Sequence, residues 1–422
     1  MQPHHQIVNN LFRHESGKMV AVLTRIFGLH NLQLAEDVVQ EAFLKAMMVW
    51  KFDQLPENPS AWLMQTARNK AIDIIRKQQY AGRYSRELAT QFREAESNVT
   101  QFFHEEEIAD SQLRMIFTCA HPSMKEEDQI ALTLKTISGF SSQEIAKSLV
   151  TSEQVIQKRL YRAKEFIRDN NIQFNIPSGK DLEHRLDTVH SVLYLIFNEG
   201  YNSMKADELI RRDLCAEAMR LCKLLTEHKR CSQPATFALL SLMCFHAARF
   251  DSRVNENNEL VLLQEQDRSK WNQELIKIAH GYLNKSTSGS DISVYHLESA
   301  IAAEHCMAPS FQHTNWNRLL LMYDMLLKVK PSPIVQLNRA VVIAELGNIA
   351  SAIESILGIE KIEHLISAHY IYSAVLGDLY KRLSDSVRAS AYLQQAHDLT
   401  NSAAEKKLIR EKMEQVLLSS RN

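Results

Sequence analysis

The side chains able to do acid–base or ligand chemistry come first. Glu199, Asp267, His296, Glu298, His305 and His313 supply acids, bases and metal donors. They form no HExxH, no phosphate-cradling glycine loop and no nucleophile elbow, and scattered histidines and carboxylates are ordinary on helical surfaces. The six cysteines, Cys119, Cys215, Cys222, Cys231, Cys244 and Cys306, make no CxxC pair and no tight Cys/His cluster. They read as reduced, mostly buried thiols of a cytoplasmic protein. The expectation is a protein that is not an enzyme, with no catalytic residue, no metal and no cofactor.

Recognition chemistry is better supplied. A helix from Glu153 to about Asp169 carries Ser152 at its start and Gln154, Gln157, Lys158, Arg159, Arg162 and Lys164 on one side. Gln and Arg read base edges through paired hydrogen bonds, and Lys and Arg neutralise phosphate. Lys158, Arg159, Arg162, Lys164 and Arg168 outnumber Glu153, Glu165 and Asp169, a local basic surplus in a chain of formal net charge −1. A solvated amphipathic helix is the plainer alternative. A second helix, from Asn58 to about Gln79, sets Trp62, Thr66, Asn69, Asp73 and Arg76 along one face, with Arg68 nearby. An aromatic, an amide and arginines suit single-stranded DNA, whereas a core aromatic is the plainer role for Trp62. On a third helix, 35–50, Glu36, Asp37, Gln40, Glu41 and Leu44 make an acidic-polar strip. Such a strip docks on another helical surface or is simply solvated.

The elements that must position these residues are helical throughout, and the fold class is all-α. With 422 residues, two or three domains are expected. Only 11 Gly and 9 Pro are present, which favours long helices and few turns. Residues 8–80 read as one helical domain, with Val38, Val39, Ala42, Phe43, Ala46 and Trp50 facing its core. Asn58 and Pro59 make a strong helix start. Leu63, Ala67, Ala71 and Ile74 form the apolar face that follows. Residues 81–108 are polar and read as a linker ending near Glu105-Glu106-Glu107. Residues 109–170 return to dense helical pattern, with Ile116, Phe117, Ile130, Ala131, Leu134 and Ile137 as core. There Ser141-x-x-Glu144 is a capping box, and Thr151-Ser152 caps the helix after it. Two helices so joined predict a helix-turn-helix, with Ile145, Ala146, Leu149, Val155, Ile156 and Leu160 inside. The stretch Asn170–Lys180 reads as a boundary, and 181–422 as one long helical domain with a loop at Ser286–Asp291. Leu376, Gly377, Tyr380, Ala389, Leu393 and Ala396 follow tetratricopeptide spacing, and Leu346, Gly347, Ala352 and Ile353 a looser version. No apolar run is long enough to span a membrane.

The order of a docking helix, a Trp- and Arg-bearing helix, a linker and a helix-turn-helix resembles extracytoplasmic-function RNA polymerase sigma factors. AEDVVQEAFLKAMMVW resembles their region 2.2, NPSAWLMQTARNKAIDIIRK their regions 2.3 and 2.4, and FSSQEIAKSLVTSEQVIQKRLYRAKEFIR their region 4.2. YLIFNEGYNS, DLCAEAMRL, ELVLLQEQDRSKW and PSPIVQLNRAV resemble the subfamily with a helical, tetratricopeptide-like C-terminal extension. The resemblance implies transcription initiation on promoter DNA with core RNA polymerase, through the β′ clamp helices and β flap. It assigns Asp37, Gln40, Glu41 and Leu44 to the polymerase. Trp62, Thr66, Arg68, Asn69 and Arg76 go to the −10 element, and Ser152, Gln154, Gln157, Lys158, Arg159 and Arg162 to the −35 element. Val150 departs from the pattern, standing where many such turns carry Gly.

The extension is expected to regulate, through a protein or peptide partner. Phe197, Asn198, Glu199, Gly200 and Tyr201 are either a helix C-cap with Gly200 at positive φ or a contact onto the sigma domains. Asp267-Arg268 is a second contact candidate, or an intramolecular ion pair. Two other readings stay open: a helix-turn-helix regulator with a helical sensor, and a helical-repeat scaffold.

Overall fold

The structure, a computed structural model, describes residues 3–50, 55–80, 99, 101–149, 151–202, 209–257, 259–289 and 291–419. Among these there is no strand, only an isolated antiparallel bridge between Val254 and Leu260. None of the helices is long and apolar enough to cross a membrane. The chain forms two compact units, Met1–Ile196 and Phe197–Asn422.

In the first unit, α1 (Pro3–Phe27), α2 (Leu32–Val49) and α3 (Pro59–Tyr80) pack together. All six expected core residues of α2 and its exit, Val38 to Trp50, are buried. On α3 the buried row is Leu63, Ala67, Ala71 and Ile75, all fully enclosed. Ile75, not Ile74, closes it, because four-residue steps hold one helical face. Asn58 caps α3 by accepting from the Ala61 amide at 2.9 Å.

Next come α4 (Glu105–Cys119), α5 (Glu126–Thr136), α6 (Ser142–Ser148) and α7 (Glu153–Asp169). Glu105, Glu106 and Glu107 form the first turn of α4, where carboxylates meet the positive end of the helix dipole. The two helical groups share one interior. Arg25 of α1 donates to Glu107 at 2.6 Å and Asp110 at 3.1 Å. Gly17 of α1 lies so close to the turn after α5 that a Cβ would meet the Ile137 carbonyl oxygen at 1.7 Å. Only glycine fits there.

The division between units falls inside α8 (Gly179–Tyr201), not along Asn170–Lys180. Arg185, on its first half, donates to the Phe117 carbonyl and lies over the Phe117 ring, tying α8 to α4.

The second unit begins with the last turn of α8 and α9 (Arg212–Glu227). Gly200 is not a C-cap at positive φ: it sits within α8, and a Cβ there would lie 2.8 Å from the Arg211 carbonyl oxygen. A close approach of chain to helix, not a reversal, requires this glycine. Helices α10 (Pro234–Ala247), α11 (Gln273–Ser286), α12 (Val294–Met307) and α13 (Trp316–Val329) follow. Then come α14 (Pro333–Glu345), α15 (Ile349–Leu357), α16 (Ile362–Ala368), α17 (Tyr370–Arg382), α18 (Ser386–Leu399) and α19 (Ala403–Ser419). The unit is not helical throughout. Between the short turn Phe250–Arg253 and α11 the chain runs mostly extended, with two 3₁₀ turns at Leu263–Glu265 and Arg268–Lys270. Asp267 and Arg268 do not pair. Asp267 accepts from Ser269, while Arg268 donates to the His305 and Ala308 carbonyls.

Leu376, Gly377 and Tyr380 on α17 face Ala389, Leu393 and Ala396 on α18 in one buried seam. The looser upstream pattern differs. Ala352 and Ile353 are buried on α15, but Gly347 turns the chain after α14 at φ 92°.

Candidate nucleic-acid and polymerase interface

The helix-turn-helix is built by local hydrogen bonds. Ser141 Oγ accepts from the Glu144 amide at 3.1 Å, and Glu144 Oε2 accepts from the Ser141 amide at 2.8 Å, closing the capping box. Ser152 Oγ accepts from the Val155 amide at 3.3 Å and starts α7. Ile145 and Ala146 on α6 meet Ile156, Leu160, Ala163 and Ile167 on α7 in the interior. Val155, expected inside, is 37% exposed, because one helical stripe holds 156, 160, 163 and 167 but not 155. Val150 lies outside the described residues.

The six expected −35 residues separate by role. Gln154, Gln157 and Lys158 project into solvent. Ser152 spends its hydroxyl on the cap. Arg159 and Arg162 turn toward the first turn of α5. Arg159 lies 3.4 Å from Glu127, and Arg162 forks onto the buried Asp128 through Nη2 at 2.6 Å and Nε at 3.2 Å. That fork holds Arg162 above its ordinary pKa. Tyr161, not singled out in the sequence, stands 62% exposed on the outer strip with Gln154 and Lys158. Its signal was its place three residues after Lys158 and seven after Gln154, on one helical strip. Replacing Arg162 with alanine is expected to leave the Asp128 carboxylate buried and unpaired. The cost is about 1–2 kcal/mol, since half of the guanidinium is solvated. Thermal unfolding checks this: the midpoint falls for R162A and holds for K158A.

On α3, Trp62, Thr66, Asn69 and Arg76 share a face, as their spacing required. Trp62 is half-buried and meets the enclosed Trp50 edge-on, with ring centroids 5.2 Å apart. Trp50 takes the core place and leaves Trp62 at the surface. Arg68 leaves this face. It lines a cavity of about 540 Å³ with Glu15, Lys18, Gln65, His104 and Gln112, and its Nε is buried without a partner. The loop residues 51–54 lie outside the described residues.

Asp37, Gln40, Glu41 and Leu44 are all exposed on α2. Met47, Met48 and Val49 extend the strip with apolar surface, Leu44 being 53% and Met48 81% exposed. The AMMVW run held that signal. Glu41 pairs with Lys70 of α3 at 2.5 Å. Beside the strip, Glu36 is buried and accepts from Lys164 of α7 at 2.6 Å, while Gln33 accepts from the same ammonium at 3.1 Å. Helices α2 and α7 therefore touch.

Three expected roles in the second unit resolve differently. Phe197 is enclosed and stacks on Tyr201 at 5.8 Å, which packs on His246 at 4.8 Å. Burial raises the carboxyl of Glu199. His296 completes a second capping box with Ser293. Among the described residues, no group of His, Cys, Asp or Glu is placed to hold a metal ion.

Residues 11–80 match the family model of sigma-70 region 2, and residues 114–167 match that of sigma-70 region 4. The chain therefore carries both a sigma-70 region 2 and a sigma-70 region 4. It is an RNA polymerase sigma factor of the extracytoplasmic-function-like kind, directing promoter-specific initiation of transcription. The ECF RNA polymerase sigma-E factor of Haemophilus influenzae is 27% identical over 177 residues, 39% of this chain and 87% of that protein. An uncharacterized protein of Rhizobium meliloti is 32% identical over 392 residues, 93% of this sigma factor and 91% of the relative. Residues 185–287 match a family of unknown function, DUF6596. No solved structure matches the chain.

Proposed function

We propose that α2 docks this cytoplasmic sigma factor on the β′ clamp helices of core polymerase through Asp37, Gln40, Glu41 and Leu44, with region 4 meeting the β flap. Helix α7 enters the major groove of the −35 element. Gln154, Gln157 and Lys158 meet bases and phosphates directly. Ser152, Arg159 and Arg162 flank them at the groove edge, the two arginines also fixing α7 on α5. Trp62, Thr66, Asn69 and Arg76 take up a base unstacked from the −10 strand, and Arg68 contributes charge from the adjoining cavity. Unstacking costs a few kcal/mol, and about 1–3 kcal/mol returns per base stacked on an aromatic ring. The observation that carries this reading is that the outward strips of α2, α3 and α7 are the ones whose chemistry suits protein, single strand and duplex in turn.

Promoter binding by holoenzyme tests the α7 assignment. Removing one phosphate contact lowers the slope of log affinity against log salt by about 0.9. K158A should show that loss, and Gln154→Ala should weaken only the preferred sequence. An unchanged slope for K158A takes α7 off the DNA.

The second unit is read as a tetratricopeptide-like regulatory domain, supported by the seam of Leu376, Gly377, Tyr380, Ala389, Leu393 and Ala396. Phe197–Tyr201, anchored by Phe197 and Gly200, leaves Asn198 and Glu199 to contact the sigma regions, and a peptide or protein partner acts on the domain. A chain ended after Asn202 should transcribe more than the full chain if the domain restrains, or less if it is required. Equal activity contradicts modulation.

A further inference from the structure

Promoter recognition leaves one cluster in the second unit without a role. A cavity of about 510 Å³ lies between the extended stretch 260–266 and α13, α14, α17 and α19. Most of its charged lining is neutralised from within. Arg382 meets Glu345 at 2.6 Å, Lys412 meets Asp378 at 2.7 Å, and Glu405 accepts from Tyr370 at 2.6 Å.

Arg249 and Arg253 are the exceptions. Neither has a carboxylate within ion-pair distance among the described residues. Arg249 is only 8% exposed. Its Nε donates to Gln266 Oε1 at 3.2 Å, and Gln266 is itself held by the Val261 carbonyl at 3.0 Å. The two terminal nitrogens of Arg249 have no acceptor among the described residues. Arg253 lies 3.6 Å over the Tyr201 ring and donates to the Tyr201 carbonyl at 2.7 Å and Asn202 Oδ1 at 3.1 Å. Beside them His305 Nδ1 is buried without a partner, as is Arg268 Nη2. Burial, with Arg249 and Arg268 nearby, pushes His305 down to about 4, so it adds no charge at neutral pH.

With Arg249 buried and Arg253 half-buried close to it, the two guanidiniums lose part of their hydration and repel each other. An anion entering between them removes both penalties, and a guanidinium fork matches a carboxylate or phosphate. Apart from Gln264, Gln266 and Asn338, the rest of the lining is apolar and aromatic, including Leu262, Phe311 and Trp316. A volume of this size suits a small molecule better than an extended chain.

We propose that this cavity binds a small organic anion, a carboxylate or phosphate on an apolar body, with its charge on Arg249 and Arg253. The stretch ELVLLQEQDRSKW then has a purpose: its non-helical wall places Gln266, which orients Arg249. The site stands whether or not the domain regulates transcription.

Titration calorimetry of the full chain with octanoate, phenyl phosphate, inorganic phosphate and octan-1-ol tests the assignment. Octanoate or phenyl phosphate should bind saturably at one site, the preferred one naming the acid group. Octan-1-ol and inorganic phosphate should bind at least tenfold more weakly. R249Q and R253Q should each weaken binding tenfold or more, while Lys285→Gln, away from the cavity, should not. Val341→Trp fills the cavity while keeping both arginines in the chain and should abolish binding, which guards against misfolding of the arginine variants. Equal binding of octan-1-ol, unchanged binding in both R249Q and V341W, or no saturable binding of either organic anion at millimolar concentration overturns the proposal. Binding confined to long acidic peptides overturns it as well.

Discussion

Tethering α2 to α7 is expected to stop promoter-dependent transcription. The −35 and −10 elements lie about 25 base pairs apart by their positions, roughly 85 Å at 3.4 Å per base pair. A packed helix is only about 10 Å across. Yet Lys164 on α7 reaches Glu36 on α2 at 2.6 Å, and α2 packs on α3. The strips on α3 and α7 therefore stand a few helix diameters apart and cannot meet both promoter elements at once. The two sigma regions must part, with the chain between Tyr80 and Val99 joining them. Cysteines at Glu36 and Lys164, bridged by a short linker with a reducible bond, should cut run-off transcript more than tenfold, and reduction should restore it. The native thiols compete poorly: five are buried, and burial raises that of Cys306, the sixth, to about 11. Full activity of the bridged protein would mean that the packed arrangement is itself the working one.

Leu44→Arg is expected to lose core polymerase by about a hundredfold or more without loss of fold. Leu44 is 53% exposed, so its removal opens no cavity, and surface changes of this kind stay within about 0.5 kcal/mol of stability. The proposed docking, however, would bury it with Met48. Withdrawing a leucine from water contributes about 1.5–3 kcal/mol, and an arginine in its place must also be desolvated. The sum, about 3–4 kcal/mol, is a factor of hundreds in affinity. Fluorescence titration of labelled sigma factor with core polymerase reads the loss, and an unchanged midpoint of thermal unfolding rules out misfolding. Normal core affinity in L44R would move the docking surface off α2.

Both predictions show where the sequence was legible. Periodicity located α2, α3, α6 and α7, because their apolar rows and caps are local: Ser141 and Glu144 need only each other to close a box. The same locality placed Leu44 and Lys158 at the surface, whereas Trp62, whose plainer role was a core aromatic, is half-buried. What the sequence withheld depends on distant residues. Arg162 looked like a free cation, but Asp128 on another helix claims it. Arg68 shared a helix with Trp62 yet turned to a cavity formed with α4. Gly200 signalled a chain reversal and instead served a close approach to Arg211. The contact of Lys164 with Glu36 joins residues 128 apart in the chain, and no spacing rule reaches that far. The Arg249–Arg253 pair escaped notice because two arginines at i,i+4 on a helix end are unremarkable until the fold sets them in one cavity wall with no carboxylate partner among the described residues.

The central claim rests most directly on transcription itself. Purified core polymerase, genomic promoter fragments and the full chain should together yield discrete run-off transcripts that core polymerase alone does not make, and the chain should co-elute with core on gel filtration. Absence of both the transcripts and the co-elution, with duplex binding retained, would contradict the account and leave a helix-turn-helix regulator that works without polymerase.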